Sequence, residues 1–142
     1  MAAASVMKHS ILLGYQLLTG LTDALSGLLL ILAPGLMLRL MNLDVSPEAL
    51  PFLSYIGVFV LSVGIACLYG GVLVARANFA AKLEVVWLLT AITRGLVTLF
   101  VLLSVLSGQL QNGWITVAIT DGLFALTQAI GLSKGWLADA AI

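Results

Sequence analysis

Apolar and polar positions divide the chain into four long apolar stretches separated by short polar ones. A membrane-crossing helix needs about 20 apolar residues at a rise of about 1.5 Å per residue, and four windows reach that length: 10–33, 52–75, 83–107 and 114–133. The separators, PGLMLRLMNLDVSPEALP, RANFAAK and GQLQNG, collect the Pro, Gly, Asn and charged residues that interrupt a helical pattern. The pattern predicts an all-α integral membrane bundle of four transmembrane helices, with residues 1–142 forming a single membrane domain.

Two segments need separate argument. The first window is longer than the 7 to 15 apolar residues of a secretory signal, contains Asp23 and has no small-x-small cleavage pattern before the next polar loop; it is expected to be a retained anchor. The first separator has two readings. Its GLMLRLMNL stretch is apolar with one arginine, and SPEAL offers Ser46 as a helix cap, Pro47 at the first position and Glu48 in the first turn. Either a short interfacial helix leads into the second span, or the segment is an ordinary connector.

Polar residues inside the windows are the sequence's main chemical signal. LTDALSGL (21–28) and ITDGLFAL (119–126) place the same Thr-Asp pair in the first and last spans, and Arg94 lies within the third. A charge at a helix centre costs roughly 2.5 to 3.5 kcal/mol on insertion scales, so none of the three is expected to face lipid. Counted from the ends of their spans on one side of the membrane, Asp23, Arg94 and Asp121 fall at a common depth of about 16 to 20 Å. Gln16, Thr19, Asp23 and Ser26 recur at steps of three and four and form a stripe. The same holds for Glu84, Trp87, Ala91, Arg94 and Thr98, while Asp121 and Gln128 are seven apart. Turned inward, these stripes put Arg94 between two aspartates, which its planar fork suits better than a lysine would. Such a layer carries one excess negative charge if all three residues are ionised, which favours an added proton or cation. It serves either to fix helix pairing or to bind a polar ligand, a quinone headgroup or a proton.

The second span has no charge. Ser62, Ala66 and Gly70 recur every four residues, with Gly57, Gly64 and Gly71 nearby, and small residues so spaced admit a close helix partner from this bundle or from a second protein. The shared [LI]TD[AG]L of the first and last spans, which run in opposite directions, also admits an inverted repeat of the kind found in transporters.

Composition narrows the function. The chain is 62% hydrophobic and only 8% charged, against about 25% charged in soluble domains, and its mean hydropathy is +1.19. Six basic and six acidic residues balance, so there is no basic field to hold nucleic acid. The single cysteine, Cys67, makes no internal disulfide or CxxC pair and reads as a packing residue. Lys8, Arg76, Lys82 and Lys134 fall on one side of the membrane and Arg39 alone on the other, which places both termini in the cytoplasm. Trp87, Trp114 and Trp136 lie near predicted span ends, where indoles prefer the headgroup zone. The only histidine, His9, is about 20 Å along the helix from Asp23. There is no HExxH, Gly-rich phosphate loop or His pair for haem, so no catalytic residues and no metal site are predicted.

In overall plan the chain resembles small bacterial four-helix membrane proteins of the DoxX-like type. The resemblance rests on length, the four spans, LLLILAPGLMLRLMNL closing the first span and TDGLFALTQAIGL in the last. It implies a multi-pass protein of the bacterial inner membrane. Some DoxX-like proteins are subunits associated with quinone-linked sulfur oxidation, but no catalytic residue of that family maps onto this sequence. The expected function is an accessory or scaffold subunit docked to a larger membrane complex or to further copies of itself. The alternative is a small transporter, or a protein binding a quinone, lipid or other small ligand, that uses the Asp-Arg-Asp layer.

Overall fold

The computed structural model describes residues 2–76 and 78–140, and all of its regular elements are helices. Four are long: α1 (Ala2–Leu32), α3 (Leu50–Val74), α4 (Ala80–Leu106) and α5 (Ile115–Ser133). Each is long and apolar enough to cross a membrane. Large side chains such as Leu25, Leu96 and Phe100 stand more than 60% exposed along their outer faces, a surface suited to lipid rather than water.

The two short helices arise where the sequence breaks its pattern. Pro34 cannot continue α1, because it lacks an N–H and clashes with the preceding turn; it instead occupies the first turn of α2 (Pro34–Leu40). That helix closes with Asn42 in the left-handed region at φ 55°. There the Leu43 N–H donates to Leu38 C=O at 2.9 Å and the Asn42 N–H to Arg39 C=O at 3.0 Å, a Schellman ending. Leu38 and Leu43 then pack with Leu53 under Trp114. The first separator is thus a short helix, a turn and a 3₁₀ segment (Pro47–Ala49) leading into α3. Ser46 stands at the cap position, but its side chain makes no capping hydrogen bond. The last helix, α6 (Trp136–Ala140), follows Gly135 at φ 68° and folds back beside α1 and α4.

Tightest packing occurs between α1 and α3. A methyl group at Gly64 would come within 3.0 Å of the Ala24 backbone, and one at Gly27 within 3.0 Å of the Leu61 and Gly57 backbones. Glycine is required here because the helix backbones themselves touch. The contact line therefore follows Gly57 and Gly64. Of the Ser62, Ala66 and Gly70 series, only Gly70 is buried; Ala66 is half-buried, and Ser62 is exposed with its hydroxyl donating to Val58 C=O at 2.8 Å. The α4 and α5 helices form a second close pair, and the two pairs meet chiefly through long side chains.

The interior is apolar at both ends and polar between them. One apolar cluster joins Leu12, Leu73, Val74, Phe79, Leu83, Trp87 and Leu137 at the end where Lys8 pairs with Asp139 at 3.5 Å; this is the terminal end below. The Leu38 cluster closes the opposite end. There Gln111 holds both the Asp44 N–H, at 3.2 Å, and the Asp44 C=O, at 2.5 Å, tying the two outer connections together. The indole of Trp87 keeps to the inward stripe and not to the headgroup position that its place near a span end suggested. It is 2% exposed, packs against Tyr15 with ring centroids 5.3 Å apart and the planes tilted at 56°, and lies on Gly131, where a methyl group would collide with it. It is a core residue, because the terminal helix α6 covers the end of α4 that hydropathy alone leaves at the headgroup level.

Candidate buried charged site

Each charged residue reaches the middle of the bundle from a different helix. Asp23 projects from α1, Arg94 from α4 and Asp121 from α5, and the inward turn of their polar stripes follows from the high free energy of charge in lipid. The Arg94 side chain extends between the two carboxylates. Its Nη2 donates to Asp23 Oδ2 at 2.5 Å and its Nη1 to Asp121 Oδ1 at 3.0 Å. The first bond joins the two helix pairs, whereas the second lies within the α4 and α5 pair. Side-chain exposure is 2% for Arg94, 11% for Asp23 and 21% for Asp121, so access to the layer is through the carboxylates.

The walls come from residues that the sequence did not tie to this layer. Arg94 stacks over the Phe124 ring at 4.8 Å from its centroid, a cation-π contact. Phe124 follows Asp121 by three positions, one helical step along the same face. Tyr15 meets Phe124 edge-on at 6.2 Å, and its hydroxyl donates to Phe124 C=O at 3.2 Å. Cys67, fully buried on α3, brings its Sγ to 3.8 Å from Arg94 Nη2. The α3 helix thus contributes a soft, uncharged wall. Among the described residues, no group of three or more His, Cys, Asp or Glu side chains is arranged to hold a metal ion.

Other members of the predicted stripes separate by depth. Gln16 and Gln128 are fully buried but lie seven residues from Asp23 and Asp121 toward the terminal end, outside the ion cluster. Gln128 Nε2 donates to Thr90 Oγ1 at 2.8 Å, and Thr90 in turn donates to Val86 C=O at 2.7 Å. Thr19 is fully buried and donates to Tyr15 C=O at 3.0 Å. Ser26, Ala91 and Thr98 are half-buried. Glu84, in the opening turns of α4, is exposed and leaves the inner stripe.

No family model, curated protein or solved structure matches the chain.

Proposed function

We propose that the protein is a small membrane-embedded binding or transport protein whose working part is the Asp23, Arg94 and Asp121 layer. It handles a proton or a small monovalent cation there, alone or together with a small polar solute. The observation that carries this reading is the unequal charge and access of the layer. Two carboxylates share one guanidinium, leaving one negative charge in excess when all three are ionised, and the carboxylates rather than the arginine are partly exposed. A cluster that only pins helices needs no second anion, since buried ion pairs contribute little net stability over apolar packing. The cytoplasmic placement of both termini belongs to the same proposal and rests on the distribution of Lys and Arg, whereas a bacterial inner membrane rests on the resemblance alone. Likeness to DoxX-like proteins supports the plan of the molecule and not its chemistry.

A second reading, an accessory subunit docked to other membrane chains, is favoured by one feature. An open groove of about 830 Å³ runs between α4 and α5 and is floored by Ala91, Gly95, Gly122, Ala125 and Ala129, small residues that let a helix approach closely.

Ion flux into proteoliposomes under an imposed potential distinguishes the readings. Wild-type protein is expected to pass protons or an alkali cation, and Asp121→Asn to lower that flux at least tenfold while the protein remains folded. If wild-type vesicles are no more permeable than empty ones, the transport reading fails. Stoichiometric partner chains in native mass spectra of gently extracted protein would then establish the subunit reading.

A further inference from the structure

Buried polar atoms in a membrane protein have no bulk water to return to, so nearly all are paired. Among the described residues, the buried side-chain polar atoms without a hydrogen-bond partner are Gln16 Oε1 and Nε2, Trp87 Nε1, Gln128 Oε1, Arg94 Nε and Thr98 Oγ1. Four of these six atoms belong to Gln16, Trp87 and Gln128. Those three residues lie on three different helices, and each is seven positions from a member of the charged layer: Gln16 from Asp23, Trp87 from Arg94 and Gln128 from Asp121. Seven residues span about 10 Å of helix and return to nearly the same face. Gln16, Trp87 and Gln128 therefore stand at one depth, two turns closer to the terminal end than the ion cluster.

Three local features indicate that this layer is built as a site. Gln16 and Gln128 are both fully buried. A methyl group on Gly70 would collide with the Gln16 amide, so the glycine of α3 keeps the space in which that amide lies. Thr90, already donating to its own helix, accepts from Gln128 Nε2 and fixes the amide with Oε1 left free. The free groups are then N–H donors from Gln16 and Trp87 and carbonyl acceptors from Gln16 and Gln128. None carries charge, so an ion entering the layer would find no counter-charge, whereas a neutral molecule with both donors and acceptors would satisfy it. At the terminal end a cavity of about 260 Å³, lined by the exposed Lys8 and Asp139, reaches the Tyr15 and Trp87 rings.

We infer that Gln16, Trp87 and Gln128 form a second, uncharged binding site, which holds water or another small neutral hydroxylic or amide molecule. This site stands on the unpaired atoms and does not depend on the function proposed for the charged layer.

The test is nuclear magnetic resonance of the ¹⁵N-labelled protein in lipid nanodiscs, with the Trp87 indole signal assigned by its absence in Trp87→Phe. Bound water predicts a persistent cross-peak between water and the Trp87 indole N–H, despite the burial of that group. The cross-peak should disappear in Gln16→Leu. It should weaken in Gly70→Ala, which keeps every polar group but displaces the Gln16 amide. Native mass spectrometry separates the two occupants. An adduct of fixed mass lost in Gln16→Leu identifies a small organic molecule, whereas a cross-peak without an adduct identifies water. Wild-type protein showing neither cross-peak nor adduct would overturn the inference, and that reading does not depend on whether either variant folds.

Discussion

Arg94 is the residue on which the charged layer depends most. Removing it leaves the buried Asp23 and the half-buried Asp121 without a counter-ion, and breaking a buried pair costs about 3 to 5 kcal/mol. Arg94→Ala is therefore expected to lower unfolding stability by that amount in a mixed-detergent titration. Arg94→Lys should fall between, because one ammonium cannot reproduce the two-pronged contact with both aspartates. The aspartates are not equivalent. Asp23 is the more enclosed and joins the helix pairs, so Asp23→Asn should be more destabilising than Asp121→Asn, by about 1 to 2 kcal/mol on the scale of charged hydrogen bonds. Indistinguishable melting of the two variants would argue against that asymmetry. At this scale the sequence was legible where charge made it so. An ionisable residue in an apolar window has few places to go, which made Asp23, Arg94 and Asp121 readable together. Tyr15, Cys67 and Phe124 were not readable as walls of the layer, because an aromatic or thiol side chain in a span suits lipid, core and ligand contact equally well. Phe124 alone left a trace, through its spacing from Asp121.

Among the elements, the pairing of α1 with α3 is governed by absent side chains. Gly64→Ala puts a methyl group against the Ala24 backbone, which can yield only if the helices part. Overpacking of this kind costs typically about 1 to 3 kcal/mol. Gly14, on the same α1, meets nothing within 4 Å, and Gly14→Ala should stabilise by about 0.5 to 1 kcal/mol through reduced backbone freedom. Opposite signs for these two substitutions in one denaturation series would test the backbone contact directly, and a neutral Gly64→Ala would count against it. Helix existence was legible because long apolar windows admit few alternatives in lipid. The choice of contact face on α3 was not. With no charge to orient it, its small residues fall on several faces, and only Ala24 and Gly27 of α1 select the line through Gly57 and Gly64. Hydropathy could not choose between the inward-stripe and headgroup readings of Trp87 for a related reason, since α6 is too short to register in a hydropathy window.

The whole molecule consists of two helix pairs held by a charged bridge at mid-depth and by apolar clusters at both ends. Its proposed orientation is open to thiol labelling of intact cells in a Cys67→Ala background. Arg39→Cys should react with an impermeant reagent, and Lys8→Cys and Lys134→Cys should react only after lysis. Labelling in the reverse pattern would invert the topology. The bridge also bears on how the protein is made. Asp23 and Arg94 are separated by 71 positions, which a ribosome covers in about 4 to 14 s at 5 to 20 residues per second. During that interval the first hairpin can close on its glycines, but its aspartate has no cation to meet. In the proposed membrane setting, this residue has to stay near the membrane surface or within the insertion machinery until α4 arrives. Translation that stalls between α3 and α4 should therefore release a hairpin with a strong local contact and an unanswered charge, a degradation-prone product that full-length chains outrun.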